Sequence, residues 1–181
     1  MRDLTQARRG PPLTASALVQ SLPAATRYIL RGGPAARAAT EQALGIEVPS
    51  SPCRASLEGE RAALWLGPDE WLLIAPVEDA APLAAALSEA LRALPHSLVD
   101  ISHRQIALTV KGPAAATLLA AGCPLDLDAR SFPVGMCTRT MLARAEIVLW
   151  RTEAGSFRLE VWRSFAGYVS AFLAEATLGI A

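Results

Sequence analysis

Asp100, Ser102 and His103 stand together in Val99-Asp100-Ile101-Ser102-His103-Arg104 and are the residue types used in acyl transfer. In a hydrolase, Ser102 would attack, His103 would take its proton and Asp100 would orient the imidazole. Two features count against this. Successive residues on a strand point to opposite faces, and no strained Gly-x-Ser-x-Gly turn surrounds Ser102. Hydrogen bonding at a surface or interface fits this cluster better. The other histidine, His96, follows Pro95 near a predicted helix end, where a cation is favoured. Asp126 and Asp128 alternate with Leu125 and Leu127, but a hard cation needs more oxygen ligands than two aspartates supply. Cys53, Cys123 and Cys137 are odd in number and lack Cys-x-x-Cys spacing, so neither a disulfide framework nor a zinc site is expected. Arg163 suits a carboxylate or phosphate and equally a partner within the fold, and Ser164 beside it suits a helix N-cap. No set of nucleophile, base and oxyanion donors assembles. The expectation is that this chain has no catalytic, cofactor-binding or metal-binding site.

The elements that hold these residues follow from apolar periodicity. Thr26–Arg31 reads as a strand, and Gly32-Gly33-Pro34 turns it into a helix over Ala35–Leu44, ended by Gly45. Neither this turn nor Lys111-Gly112-Pro113 matches a phosphate-binding loop, and proline removes a backbone donor. Ile46–Ser56 reads as loop. Arg61–Leu66 and Glu70–Ala75 form a hairpin about Gly67-Pro68-Asp69-Glu70, with Asp69 and Glu70 as turn and surface residues. Ala81–Leu94 is a helix with Leu83, Leu87, Leu91 and Leu94 on one face.

The pattern then recurs. Ser97–Ser102 and Arg104–Val110 are strands, Ala114–Ala121 a helix and Cys123–Gly135 a loop. Met136–Ala143, Glu146–Arg151 and Ser156–Trp162 are strands. Ser164–Leu178 is a helix with a stripe of Phe165, Tyr168, Val169, Phe172 and Leu173. Gly32-Gly33-Pro34-Ala35-Ala36 parallels Gly112-Pro113-Ala114-Ala115. The chain therefore reads as an α+β fold: two similar β-α-β-β-α subdomains from an internal duplication, with mixed or antiparallel sheets and helices packed on them. Residues 1–24 form an N-terminal arm, with a short helical turn expected at Ala15–Gln20. Residues 25–95 form the first subdomain and 96–181 the second, in one compact body.

Composition narrows the function. The 181 residues carry 17 basic and 17 acidic side chains, and 52% are apolar. A balanced charge argues against a nucleic-acid partner and leaves little self-repulsion. Every apolar run is interrupted before it is long enough to span a bilayer, and no signal-peptide core follows the N-terminal arginines. A cytoplasmic protein with reduced thiols, its surface covered by partners, is expected.

Several motifs carry a resemblance, in order: Leu64-Trp65-Leu66-Gly67-Pro68-Asp69-Glu70-Trp71-Leu72-Leu73, Val99-Asp100-Ile101-Ser102-His103-Arg104, Gly112-Pro113-Ala114-Ala115, Cys123-Pro124-Leu125-Asp126-Leu127, Phe132-Pro133-Val134-Gly135-Met136-Cys137 and Trp162-Arg163-Ser164-Phe165-Ala166-Gly167-Tyr168. From about residue 25 to 175 the chain resembles the gamma subunit of heterotetrameric sarcosine oxidase, itself similar to the folate-binding T-protein of glycine cleavage. The resemblance implies a complex that oxidatively demethylates sarcosine to glycine, with hydrogen peroxide and methylene-tetrahydrofolate as products. It implies alpha, beta and delta subunits as partners, with FAD, FMN, NAD and tetrahydrofolate on those partners and none on this chain. T-protein relatives that bind folate keep an acidic residue for the pterin, and some a Lys-Gly-Cys-x-x-Gly-Gln segment. Phe132–Cys137 has Gly135 and Cys137 but no Lys, Gln or Glu, against folate binding here. A free-standing folate-binding or one-carbon transfer protein of the T-protein type is the alternative. The packing or interface candidates are Trp65, Trp71, Phe132, Arg163 and Tyr168.

Overall fold

Alternating side chains give each strand two different faces, and the structure, a computed structural model describing residues 17–179, uses both. The strands are β1 (Leu18–Ser21), β2 (Thr26–Gly32), β3 (Ala55–Glu58), β4 (Arg61–Gly67), β5 (Glu70–Ala75), β6 (His96–Asp100), β7 (Gln105–Lys111), β8 (Cys137–Leu142), β9 (Ala145–Glu153) and β10 (Ser156–Trp162). The helices are α1 (Pro34–Leu44), α2 (Ala80–Leu91), α3 (Ala115–Ala120) and α4 (Ala166–Leu178). The strands form two five-stranded sheets, ordered β3-β4-β5-β2-β6 and β1-β7-β10-β9-β8. The pairings are antiparallel. The α+β architecture expected from the sequence is present, and of the two sheet types foreseen it is the antiparallel one.

The two sheets have the same order, element for element, once their edge strands are exchanged. β6 precedes the second set of elements in the chain but pairs with β2, Ile29 opposite Val99. β1 precedes the first set but pairs with β7, Val19 opposite Val110. The division at residues 95 and 96 therefore does not follow the sheets: each set lends its leading strand to the other. Leu18–Gln20, placed in an expected helical turn, lie in β1, and residues 1–16 of the expected arm lie outside the described residues. β3 occupies part of a segment expected to be loop, and pairs with β4.

Helices cover the outer face of each sheet. On the first, Leu83, Leu87 and Leu91 of α2 and Leu44 of α1 close over Leu30, Ala63, Trp71 and Leu73. The Trp71 indole N–H donates to the Pro49 carbonyl at 2.7 Å, satisfying the one polar atom of a buried ring. Trp65 lies opposite Trp71 and packs partly buried against the same cluster. On the second sheet, Val169 and Leu173 of α4 and Leu118 and Leu119 of α3 close over Leu108, Phe157, Leu159 and Val161. Phe165 and Tyr168, placed by spacing in the apolar stripe of the last helix, are 40% and 41% exposed. A short 3-10 turn, Arg163–Phe165, precedes α4, so Ser164 does not cap it. Two glycines are demanded by close approach. A Cβ on Gly32 would lie 2.6 Å from the Ala36 Cβ, and one on Gly122 would lie 2.6 Å from the Phe172 ring.

The inner faces meet each other. Ala62, Leu64, Leu72 and Ile74 of the first sheet pack on Cys137, Val148 and Trp150 of the second. Beside this apolar contact, Arg27 of β2 donates from Nε to Glu160 Oε2 of β10 at 2.6 Å, with both side chains 1% exposed or less. Arg158 adds a second bond to Glu160 at 2.7 Å. Glu70, expected at the surface, is buried, because it joins the sheets: Arg31 of β2 reaches it at 2.5 Å and Arg139 of β8 binds its other oxygen. The hydrogen bond from Arg139 holds the Glu70 carboxyl below its ordinary range; burial opposes this and Arg31 adds to it.

Three stability effects follow. Trp71→Ala lowers unfolding stability by about 3–5 kcal/mol in denaturant titration, the cost of deleting a buried aromatic. Glu160→Gln costs about 3–5 kcal/mol because it leaves the Arg27 charge buried without its counter-ion, while the double change Arg27→Met/Glu160→Leu costs less than that. Glu70, with its folded pKa depressed, contributes in full above its ordinary value of 4.5. That contribution is lost as pH falls through the lower folded value. Glu70→Gln therefore destabilises at pH 7, and its deficit relative to wild type narrows in melts taken at progressively lower pH.

Candidate functional site

The sequence-selected residues scatter between core, turns and surface. The Phe132 ring is buried 6.3 Å from that of Phe157, under the helices of the second sheet. The chain is turned around it by Arg151, whose Nη1 donates to the Phe132 carbonyl at 2.8 Å and the Leu127 carbonyl at 3.3 Å. Asp126 and Asp128 lie exposed in the same loop. The Ser131 hydroxyl donates to Asp126 at 2.6 Å and the Arg130 guanidinium to Asp128 at 2.9 Å, and these bonds hold both carboxyls below their ordinary range. Their remaining contacts are turn bonds to backbone N–H groups two residues on. Among the described residues no group of three or more His, Cys, Asp or Glu is placed to hold a metal.

Cys137 lies at the sheet–sheet contact and its thiol donates to the Arg54 carbonyl at 3.3 Å. Burial, with the neighbouring Cys53 adding to it, pushes this thiol up to about 12. A thiol so placed stays protonated at physiological pH and is a poor nucleophile. Cys53, Cys123 and Cys137 are free cysteines.

One cleft does gather several residues of interest. Asp100, Ser102, His103, Gln105 and Arg163 line a cavity of about 320 Å³ where the segment Leu22–Arg27 crosses from one sheet to the other. The triad is not assembled there. The Ser102 hydroxyl accepts from the Arg27 backbone N–H at 2.9 Å, and Asp100 accepts from the Ser102 N–H at 2.8 Å. Neither bond involves His103, which is exposed. The pair instead fixes the turn that leaves β6 and anchors it to β2. His96 opens β6, exposed, with Nδ1 2.8 Å from the Leu94 carbonyl.

Arg163 and Tyr168 lie on the surface, beside Trp162, Phe165 and Met141, each exposed by about two-fifths. The sequence reading picked Arg163 and Tyr168 for this region but not Trp162 or Met141. Arg27, Arg151 and Glu160 were missed entirely. Their only local signal is charge on strands whose alternate residues are apolar.

The family model described as "Sarcosine oxidase, gamma subunit family" matches residues 31–178. The chain is 39% identical over 141 residues to the sarcosine oxidase subunit gamma of Corynebacterium sp. (strain P-1), covering 77% of this chain and 68% of that one. Its fold superposes on a chain of the heterotetrameric sarcosine oxidase from Corynebacterium sp. U-96, with TM-score 0.85 and 33% identity over 91% of this chain and 85% of that one. It also superposes on the glycine cleavage aminomethyltransferase T of Bartonella henselae, with TM-score 0.68 and 15% identity over 87% of this chain and 45% of that one, a likeness of fold. The chain belongs to the sarcosine oxidase gamma subunit family, whose place is within a heterotetrameric complex.

Proposed function

We propose that this chain is a non-catalytic subunit that stabilises and completes the large flavin-bearing subunit of a cytoplasmic sarcosine oxidase. In this reading alpha, beta and delta subunits are its partners, and FAD, FMN, NAD and tetrahydrofolate are held by those partners. The complex oxidises the methyl group of sarcosine, releasing glycine and hydrogen peroxide and passing the one-carbon unit to tetrahydrofolate. The observation that carries the reading is the superposition on a chain of a heterotetrameric sarcosine oxidase over 91% of this chain.

The chemistry of the side chains supports it. The groups best suited to reaction are committed to the fold: Ser102 to the Arg27 backbone, Cys137 to the Arg54 carbonyl and Asp126 to Ser131. The segment where T-protein relatives carry folate-binding residues, Phe132–Cys137, begins and ends in packed core. With no Lys, Gln or Glu in that segment, its side chains do not fit a pterin. No helix among the described residues is long and apolar enough to cross a membrane.

Co-expression with tagged alpha, beta and delta subunits tests this. This chain co-purifies with the flavin-bearing large subunit in a fixed ratio. A chain that is monodisperse and fails to bind the large subunit contradicts the reading. Heat on calorimetric titration of the isolated chain with tetrahydrofolate would favour the T-protein alternative.

A further inference from the structure

The inner face of the second sheet is longer than its cover. Cys137 and Arg139 of β8 and Glu160 of β10 meet the first sheet, but the next residues on the same face, Met141 and Trp162, are each 41% exposed. Phe165 and Tyr168, one helical turn apart where the chain enters α4, extend this surface at 40% and 41% exposure. Met141, Arg144, Glu146, Trp162 and Phe165 enclose a hollow of about 310 Å³.

Its rim is cationic. Arg104 lies over the Trp162 ring, its guanidinium carbon 4.9 Å from the centroid, and its carbonyl accepts from the Arg163 N–H at 2.8 Å. Arg104, Arg144 and Arg163 are exposed and make no ion pair among the described residues. Elsewhere Arg61, Arg92 and Arg130 are paired, while the exposed Arg54 and Lys111 make no ion pair among the described residues. Glu146 is the sole acid lining the hollow. Of the five exposed lysines and arginines without an ion pair among the described residues, Arg104 and Arg144 border this aromatic surface, and Arg163, whose side chain lines the neighbouring cavity, adjoins it next to Trp162.

We propose that this face docks an apolar-tipped, acidic-flanked segment of another subunit of the complex. The inference rests on the reading of the chain as a subunit. Aromatic side chains with arginines about them are the composition of an interface centre, and unpaired cations call for carboxylates on the opposing surface. A second copy of this chain does not supply them, since a two-fold contact sets the same patch, arginines included, against itself.

The test is made on the co-expressed four-subunit complex, by the fraction of this chain retained on a tagged large subunit at several salt concentrations. Arg144→Glu/Arg163→Glu lowers retention on the order of tenfold at moderate salt. It leaves the melting temperature of the isolated chain unchanged, because neither arginine has an ion pair to lose. The distant reversal Arg92→Glu keeps wild-type retention, and Arg144→Ala/Arg163→Ala gives a smaller loss in the same direction should the reversal impair folding. Wild-type retention of both double variants overturns the proposal. So does an equal loss in Arg92→Glu, or a homodimer of the isolated chain that the reversal dissolves while subunit binding persists. Failure of the wild-type chain itself to bind contradicts the subunit reading rather than the choice of face.

Discussion

The ion pair between Arg27 and Glu160 is the constraint on which the rest of the molecule turns. Arg27 lies near the start of β2 and Glu160 within β10, each on the inner face of a different sheet, and both side chains are almost wholly removed from water. A buried pair is not in itself a large source of stability, since desolvation offsets much of the attraction. Its effect here is positional. With the Arg27 head fixed on Glu160, β2 and β10 have a single mutual register, and sliding the sheets strands both charges. Glu70 does the same at another point, held by Arg31 from its own sheet and Arg139 from the other. Between these polar clamps lie Leu64, Leu72, Ile74, Val148 and Trp150, whose burial supplies the driving force.

The exchanged edge strands bind the halves covalently as well as by packing. β1 leaves the second sheet and the chain continues into β2 of the first, while β6 leaves the first sheet and continues into β7 of the second. The two crossings lie together: Ser102, at the exit from β6, accepts from the backbone N–H of Arg27, at the entry to β2. The Asp100-Ser102-His103 cluster, whose residue types suggest catalysis, is thus a fastening between two chain crossings. Any relative movement of the sheets strains both crossings, so the chain is suited to present a fixed surface to partners.

Much of this was legible in the sequence because it is local. The periodicity of Leu83, Leu87 and Leu91, the alternation of Phe157, Leu159 and Val161, and the glycine that ends α1 with φ of 77° each follow from a few neighbouring residues. What escaped is set by tertiary pairing. Leu18–Ser21 has little pattern of its own and becomes a strand because β7 offers it an edge. Glu70 follows a Gly-Pro-Asp turn, which reads as surface, yet the second sheet covers it and Arg139 neutralises it. Arg27 and Glu160 are 133 residues apart, and nothing near either announces the other. Phe165 and Tyr168 fit the apolar stripe of α4 by spacing, but the helix turns them past the end of the sheet. Of the motifs that resemble the family, those at the hairpin, the crossings and the core loop are packing features here, while Trp162–Tyr168 carries the exposed Trp162, Phe165 and Tyr168.

In the proposed reading this subunit contributes surface and support, not reacting groups, to the enzyme it completes. Subunit omission and add-back tests that most directly. The alpha, beta and delta subunits, expressed without this chain, are assayed for flavin content, assembly and sarcosine-dependent peroxide formation, then mixed with purified chain. The expected result is an incomplete or unstable large subunit that is restored equally by the wild-type chain and by the Ser102→Ala, Asp126→Asn and Cys137→Ser forms that fold. Full assembly and turnover without the chain would contradict it, as would restored assembly with turnover lost in one of those variants.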